Sequence, residues 1–333
     1  MAKAPMAEGR RRLFTVLAGC LLGSLALWLA LRGLDLVQLL NALHGVDYAM
    51  TVAALLAALA TLVINTVRWQ LLFYPDHRRV SFAALFRANV VGQMLNIVSP
   101  VRVGEITRLF SVSASEGLGK GPVLATLAIE KVLDVATFAM AVVVVSGTLA
   151  LPPEIRLQQR TLWIGGIAGG IALWWLARRP RTIDAALTAL TGLLPERWQE
   201  PGRSGVRGFV DGLTALDSSG AGLAAVALSL ALMIVAAWTN HLLFLAFGLH
   251  LPPVAALLLL VVLQVGAVPP SLPGKIGVFN YLTVVALSVF AVDRATAVGY
   301  SIVLYVVALL PKILLGSAYL AIGAHRRVVR TAI

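Results

Sequence analysis

Residues 82–115 read FAALFRANVVGQMLNIVSPVRVGEITRLFSVSAS, an apolar stretch interrupted by the segment SPVRVGE. Neither apolar arm, about 82–98 or 103–115, is long enough to cross a hydrocarbon core of about 30 Å as a helix. Proline disfavours helical geometry in the residue before it, and glycine permits a tight turn. Irregular backbone at membrane depth is tolerated only where it is buried in protein or lines a water-filled cavity. The break at Pro100 and Gly104 therefore predicts a re-entrant helix pair that enters and leaves on the cytoplasmic side.

The composition extends the membrane prediction to the whole chain. Hydrophobic residues make up 59% of the 333 residues and charged residues 13%, whereas ordinary globular chains have roughly half and a quarter. A soluble fold of this length needs more polar surface to cover its core, so the sequence predicts an all-α polytopic membrane protein. The single cysteine, Cys20, lies in an apolar run, which excludes disulfides within the chain and cysteine-based metal sites.

The charge balance is basic, with 27 Lys and Arg against 15 Asp and Glu and a net charge of +12. Most of the bases stand beside apolar runs, which is typical of membrane orientation and of contact with anionic headgroups. No long basic tract interleaved with aromatic residues is present. We therefore expect no nucleic-acid partner.

The apolar runs predict about six full spans and a second re-entrant pair. The second pair, about 254–268 and 275–292, flanks the segment PPSLPG and is expected to enter from outside. The first run is longer than the core of a signal peptide, so we interpret it as an uncleaved span. The full spans are expected at about 13–31, 48–73, 122–150, 161–177, 221–249 and 296–324.

These segments form one transmembrane domain, 13–324, between a cytoplasmic N-terminus, 1–12, and a basic cytoplasmic tail, 325–333. The polar segment 178–220 is expected to lie on the cytoplasmic surface. The predicted inner segments hold most of the bases, and the predicted outer loops hold only Arg32, Arg156, Arg160 and Arg294. That bias predicts that both termini are cytoplasmic.

Two breaks share the pattern of proline, any residue, a base, a β-branched residue and glycine. They place Arg102 and Lys275 173 residues apart, and the same offset relates Arg68 to His241. Chance recurrence of a short pattern remains an alternative to a true repeat. The residues predicted to break the helices are Pro100, Gly104, Pro270, Pro273, Gly274 and Gly277.

Because the first break is reached from inside and the second from outside, the repeat would be inverted, with halves of about 13–150 and 161–324. Inverted repeats with broken helices near the membrane midplane are typical of secondary transporters. Their sites lie where the breaks meet.

Charged side chains inside a membrane are costly and are usually paired or functional. By the predicted topology the interior bases outnumber the acids. A cavity with surplus Arg and Lys suits a phosphate or carboxylate ligand, and helices starting near Gly104 and Lys275 would direct their N-terminal dipoles at it. The interior bases are Arg68, Arg102, Arg108, Lys131, Lys275 and Lys312, and the acids are Glu105, Glu130 and Asp134.

Pairing is the alternative to ligand binding. Arg102, Glu105 and Arg108 stand at helical spacing and could form ion pairs within one helix. In the sequence, no acidic residue stands within one turn of Lys275 or Lys312, so this pairing does not extend to them. For Arg68, near the predicted inner interface, the preferred interpretation is that the side chain extends to the membrane surface.

An acidic stripe is predicted on the span at 122–150. Thr126, Glu130, Asp134 and Thr137 follow at spacings that place them on one helix face. Two carboxylates one turn apart titrate as a coupled pair, which suits a proton relay. Charge pairing with Arg102 or Arg108 is the alternative, and both roles can hold together.

The sequence contains few motifs that are typical of enzymes. The five histidines lie in separate segments, and neither a Gly-x-Ser-x-Gly elbow nor a nucleotide-binding P-loop occurs. We therefore expect no catalytic residues, no metal and no cofactor.

Four motifs together resemble the lysylphosphatidylglycerol synthase transmembrane, or flippase-like, family. The resemblance runs from about residue 15 to 323 and implies a multi-pass protein of the cytoplasmic (inner) membrane of a bacterium or archaeon. The motifs are Asn65-x-x-Arg68-Trp69, Asn96-x-x-x-Pro100-x-Arg102-x-Gly104-Glu105-x-x-Arg108, Glu130-Lys131-x-x-Asp134 and Pro270-x-x-Pro273-Gly274-x-x-Gly277.

In the bifunctional multiple peptide resistance factor, a related domain is implied to flip aminoacylated phosphatidylglycerol outward. That protein adds a soluble aminoacyltransferase domain. We expect no such domain after Ala324 and no synthase activity. Standalone members are implied to have diverse lipid substrates, some of them isoprenoid.

The resemblance and the interior charges together imply a transporter whose partner is a membrane lipid. The lipid would be anionic or phosphate-bearing: a phospholipid, an aminoacyl-phospholipid or an isoprenoid lipid. The rival interpretation is a membrane-embedded lipid-modifying enzyme, or a non-catalytic partner of lipid-biosynthesis enzymes. Headgroup binding is expected from Arg68, Asn96, Arg102, Arg108 and Lys275, and proton relay or charge balance from Glu105, Glu130 and Asp134.

Overall fold

The computed structural model describes residues 35–73, 76–99, 103–149, 220–266 and 277–331, with side chains up to residue 322, and short pieces within 25–32 and 189–206. Every regular element in these ranges is a helix, and none of the described residues forms a β-strand. This confirms the predicted all-α class. The helices are α1 (Leu36–His44), α2 (Tyr48–Leu71), α3 (Phe82–Val98), α4 (Gly104–Glu116), α5 (Lys120–Thr148), α6 (Gly220–Ala246), α7 (Pro253–Gly266), α8 (Val278–Ser288) and α9 (Arg294–Thr331), with a 3-10 turn at Asp76–Arg78.

Three of the described helices are long and apolar enough to cross a membrane. They are α2, α6 and the part of α9 from Arg294 to Ile322. Together with the apolar composition they make the chain a polytopic membrane protein. Helix α5 has 29 residues, which gives it a length of about 44 Å. The total number of spans and their orientation stay predictions.

A short helix stands on each side of both predicted breaks. Helices α3 and α4 have 17 and 13 residues, and α7 and α8 have 14 and 11. All four are shorter than the roughly 20 residues that a full span needs. Their positions match the predicted arms, and the re-entrant course itself stays a prediction. The predicted span 161–177 and nearly all of 13–31 and 178–220 lie outside the described residues.

Two features differ from the sequence prediction. Helix α1 occupies a stretch predicted as an outer loop. The Asp35 carboxylate caps its start, accepting a hydrogen bond from the Val37 N–H at 2.8 Å. An aspartate followed by apolar residues at helical spacing is a start signal that the prediction missed. Helix α9 also continues to Thr331, so the backbone of the predicted tail is helical as far as that residue.

The chain divides into two compact units. The terminal unit comprises Met1–Leu59, Val91–Gly104 and Ala236–Ile333, and the middle unit comprises Ala60–Val90 and Glu105–Val235. The division passes through α2 and α6, so it does not follow the predicted repeat halves. The inverted repeat stays a prediction.

Each unit has its own apolar core. The terminal unit packs α6, α7, α8 and α9 together through large buried side chains that include Leu243, Phe244, Leu259, Leu287 and Tyr300. In the middle unit the core residues Trp69, Leu72, Leu85, Val112 and Val123 join α2, α3, α4 and α5. Three of those helices, α2, α4 and α5, also supply the charged residues considered next.

Glycine and asparagine shape both breaks. At the start of α4, the Gly104 N–H donates to Asn96 Oδ1 at 2.8 Å. A Cβ on Gly104 would overlap both that oxygen and the Gly92 carbonyl, so only glycine permits this approach of α3 and α4. At the start of α8, Gly277 has φ of +86°, in the left-handed region that favours glycine. Asn280 contacts the Gly277 N–H and donates to Ser301 Oγ at 2.8 Å.

Candidate functional site: a buried ion-pair cluster

The middle unit contains a cluster of charged side chains from three helices. Arg68 lies in the last turn of α2, Glu105 and Arg108 lie in α4, and Glu130, Lys131 and Asp134 lie in α5. The helical spacing of the α5 stripe places Glu130 and Asp134 one turn apart. We call these six side chains the ion-pair cluster.

Arg108 and Glu130 form the innermost pair of the cluster. Arg108 Nη1 donates to Glu130 Oε1 at 3.1 Å, and Nη2 donates to Oε2 at 2.6 Å. Both side chains are almost wholly buried, with exposed fractions of 5% and 2%. Two parallel hydrogen bonds between a guanidinium and a carboxylate are the strongest geometry for such a pair. The pair therefore neutralises both charges where water is scarce.

Trp69 supports this pair from the side. The Arg108 guanidinium carbon lies 4.0 Å from the centre of the Trp69 ring, which is a cation–π contact. The indole N–H of Trp69 donates to Thr126 Oγ1 at 3.0 Å, so the ring is fixed to α5. Trp69 is fully buried. Arg108 is thus held by an acid at one end and an aromatic face at its side.

Arg68 joins the two carboxylates of the stripe. Its Nη2 lies 2.8 Å from Asp134 Oδ1 and 3.6 Å from Glu130 Oε1. Its Nη1 donates to Ser229 Oγ of α6 at 3.0 Å. The side chain is only 2% exposed. The interpretation that Arg68 extends to the membrane surface is therefore wrong, because two carboxylates and a serine hydroxyl hold its guanidinium in the interior of the unit.

Two side chains at the edge of the cluster are partly exposed on the protein surface. Lys131 Nζ lies 3.6 Å from Glu105 Oε1 and 3.5 Å from Asp134 Oδ2. The exposed fractions are 52% for Lys131 and 39% for Asp134. Asp134 thus connects a buried arginine with a half-exposed lysine.

The charges of the ion-pair cluster balance. Arg68, Arg108 and Lys131 contact Glu105, Glu130 and Asp134, so three positive charges meet three negative ones. Within the described part of the chain, the cluster is therefore neutral. The surplus of bases predicted for the interior consists of Arg102, Lys275 and Lys312, which are not part of the cluster. Arg102 and Lys275 lie outside the described residues, so the surplus stays a prediction.

Two guanidinium donors of the cluster have no acceptor among the described residues. They are the buried Nε–H groups of Arg68 and Arg108. A buried guanidinium gains most when its donors all meet oxygen atoms. Each of these nitrogens can therefore donate to an oxygen from outside the described protein.

The remaining predicted site residues lie elsewhere. Asn96 belongs to the terminal unit, where it accepts from the Gly104 N–H. Lys312 has interactions of its own. His241 packs among the aromatic rings of Trp238 and Phe244 in the terminal unit. Six predicted site residues lie outside the described residues: Pro100, Arg102, Pro270, Pro273, Gly274 and Lys275.

Sequence reasoning missed three residues that hold the cluster. Trp69 and Asn65 stand in the same motif as Arg68, so their spacing offered a signal, and Asn65 Oδ1 lies 3.3 Å from Arg68 Nη2. Ser229 offered none, because a serine in an apolar span more often bonds its own helix, as Ser229 also does with the Ala225 carbonyl. Among the described residues, no group of three or more His, Cys, Asp and Glu could hold a metal ion.

Helices of this length and composition, with a charge cluster inside one unit, define a polytopic membrane protein. Residues 16–316 match the model of the family described as the lysylphosphatidylglycerol synthase TM region. The chain belongs to that family, which confirms the resemblance seen in its motifs.

A curated relative adds a second similarity. The chain is 29% identical over 160 residues to glycosyltransferase AglD of Haloferax volcanii. The match covers 48% of this chain and 25% of the relative. The chain thus spans about a quarter of the length of that relative.

Proposed function

We propose that the protein translocates an anionic or phosphate-bearing lipid across the cytoplasmic membrane of a bacterium or archaeon. The observation that carries the proposal is the ion-pair cluster, in which six charged side chains from three helices of one unit meet, three of them almost wholly buried. Charges at such positions are costly and mark substrate or ion pathways. Family membership supports a lipid-related role.

The proposed division of labour follows residue chemistry. Headgroup binding is assigned to Arg102 and Lys275, which stand beside the two breaks in the sequence, and to Arg68 and Arg108 in the cluster. Guanidinium and ammonium groups suit phosphate oxygens. Asn96 orders the first break through its bond to Gly104. The acids Glu105, Glu130 and Asp134 balance charge or relay protons while the headgroup passes.

A liposome assay tests the proposal. Purified protein is reconstituted with fluorescent phosphatidylglycerol, and translocation is followed by quenching of the outer leaflet with an impermeant reductant. Arg102→Ala and Lys275→Ala are each expected to slow translocation in a folded, inserted protein. Arg78→Ala, in the exposed 3-10 turn, removes the same charge and is expected to leave the rate unchanged. Normal rates in both break variants would make those bases structural.

The second candidate is a lipid-modifying enzyme or its non-catalytic partner in lipid biosynthesis. The similarity to part of a protein named as a glycosyltransferase favours it. Mass spectrometry of lipids from the same liposomes separates the two functions. A change in lipid mass favours the enzyme, and translocation of unchanged lipid favours the transporter. Lipids that co-purify with the protein, identified in the same way, would name the substrate.

A further inference from the structure

We propose that the Arg68 guanidinium binds the phosphate of the lipid headgroup by exchanging it for the Asp134 carboxylate. The inference rests on the proposed function and names the group that takes the anion. In this scheme Asp134 occupies the phosphate position on Arg68 while no lipid is bound.

Glu130 is unsuited to such an exchange, although it also lies near Arg68. Both of its oxygens are bound by Arg108, at 3.1 and 2.6 Å, and the pair is buried against Trp69. Removing one member of a buried, hydrogen-bonded ion pair strands the other charge. Glu130 therefore stays in place while its neighbour moves.

Asp134 is suited to the exchange for two reasons. It is 39% exposed, whereas Arg68 and Glu130 are each 2% exposed. The protein therefore encloses Asp134 less completely than Glu130, and the Asp134 side chain has room to leave Arg68. Its second oxygen already lies 3.5 Å from Lys131 Nζ, so a cation is in reach when it leaves Arg68.

Arg68 remains in position after Asp134 leaves. Its Nη1 donates to Ser229 Oγ at 3.0 Å, and its Nη2 lies 3.3 Å from Asn65 Oδ1. Both anchors are neutral, so neither competes for the anion by charge. The guanidinium is therefore fixed in place without depending on Asp134.

The free donor of Arg68 favours a phosphate over the resident carboxylate. The Nε–H and one Nη2–H of a guanidinium point the same way and bind two oxygens in parallel. Asp134 contacts only Nη2, and Nε has no acceptor among the described residues. Two oxygens of a phosphate bind both donors at once. The exchange thus replaces a single contact with a bidentate one.

Binding of dioctanoyl phosphatidylglycerol to the detergent-solubilised full chain tests the exchange, with native mass spectrometry as the readout. Asp134→Asn removes the competing charge and keeps the side-chain size, so we expect about tenfold tighter binding. Arg68→Lys keeps a charge but loses the parallel donors, so we expect about tenfold weaker binding. Glu116→Gln, also in the middle unit, removes a negative charge from a residue that instead bonds the Ser81 N–H, and should leave affinity unchanged.

Two further ligands identify the source of the anion. Dioctanoylglycerol has the same tails without phosphate, and its binding is expected to be equal in all variants. Inorganic phosphate tests the free ion as a competitor. Competition at millimolar concentration that strengthens in Asp134→Asn would assign the site to free phosphate, whereas failure to compete assigns it to the lipid headgroup.

Binding is measured without transport, so the two proposals fail separately. Unchanged or weaker phosphatidylglycerol binding by a folded Asp134→Asn protein would overturn the exchange, even if the liposomes show translocation. An equal increase in the affinity of Asp134→Asn for dioctanoylglycerol would also overturn the exchange, because the increase would then come from the acyl tails. Tighter binding confined to the phosphate-bearing ligand supports it, even in a protein that translocates nothing.

Discussion

At the scale of single residues, the physics of the cluster is that of charges removed from water. Moving an arginine or a glutamate into an apolar interior costs several kcal/mol of hydration, which only close partners offset. Arg108 and Glu130 meet this condition through two short bonds and a ring contact. The pair is accordingly a stabilising contact only while both members are present.

Glu130→Gln separates charge pairing from proton relay. The variant leaves Arg108 buried without its counter-ion, so we expect a stability loss of about 3–5 kcal/mol and a clearly lower melting temperature in detergent. Melting temperature and the pH dependence of translocation are measured on one purified variant. The double variant Arg108→Gln with Glu130→Gln should recover part of the loss, because no charge remains unpaired.

The opposite outcome for Glu130→Gln would identify the relay. An unchanged melting temperature with a flattened pH dependence means that Glu130 carries protons and that pairing contributes little. A large stability loss with normal pH dependence leaves the ion pair as the main role. Asp134→Asn, at the half-exposed edge, is expected to lose less stability than Glu130→Gln.

A second residue prediction concerns the start of α9, outside the apolar span. Burial raises the pKa of the Asp293 carboxyl, but hydrogen bonds from Thr296 and neighbouring backbone N–H groups outweigh it, so the pKa is lowered from 3.8. A lowered pKa means that the carboxylate stabilises the fold above pH 3.8, and that this stability is lost as the pH falls through the lower, folded value. Asp293→Ala should cost about 1 kcal/mol at neutral pH.

Thermal unfolding in detergent from neutral to acidic pH measures this effect. The difference in melting temperature between the wild type and Asp293→Ala should shrink below pH 3.8. Asp293→Asn is the matched control, because asparagine caps helices without titrating. A constant difference at all pH values would show that the carboxylate charge at Asp293 is not what stabilises the helix start.

The residue scale also shows what the sequence could foretell of the site. The spacing of Thr126, Glu130 and Asp134 predicted one polar face, and the structure has all three side chains in contact with groups of the middle unit. The ion-pair partner of Arg108 was not predictable, because acidic residues on its own helix and on α5 were both at suitable positions in the sequence. Contacts between helices far apart in sequence depend on packing, which no local spacing encodes.

At the scale of elements, the breaks are set by small side chains. Gly104 lets α4 begin against the Gly92 carbonyl and Asn96, where a Cβ would overlap both. Most helix positions were predictable from apolar runs, because Pro and Gly punctuate them. Helix α1 was missed because its nine residues are too few to form a span, and the stretch between the predicted spans 13–31 and 48–73 was interpreted as a loop.

Gly104→Ala tests the close approach of α3 and α4. The added methyl group forces the helices apart, so we expect a loss of about 1–3 kcal/mol, seen as a lower melting temperature. Gly220→Ala is the control, because a Cβ there meets nothing within 4 Å. It should be neutral or slightly stabilising, since alanine restricts the unfolded chain. Equal melting temperatures for the two variants would show that the break tolerates a side chain.

At the scale of the whole molecule, the basic residues predict how the chain sits in the bilayer. Positively charged loops stay on the cytoplasmic side, and few bases occur in the predicted outer loops. The orientation of the breaks, and so the inverted repeat, depends on this topology. The positions of the helices do not determine the orientation, because a chain inserted the opposite way round would have the same helices.

Cysteine labelling decides the orientation. In a Cys20→Ala background, Gln38→Cys on the exposed side of α1 and Glu154→Cys should react with an impermeant thiol reagent added to intact cells, because both lie in predicted outer segments. Gln38 serves better than Asp35, whose carboxylate caps α1. Arg203→Cys, on the predicted cytoplasmic segment, should react only after the membrane is permeabilised, which also shows that its thiol is accessible. Reaction of Arg203→Cys in intact cells would place that segment outside the cell. The distribution of basic residues would then have predicted the wrong orientation, and the argument that the two breaks are reached from opposite sides of the membrane would fail.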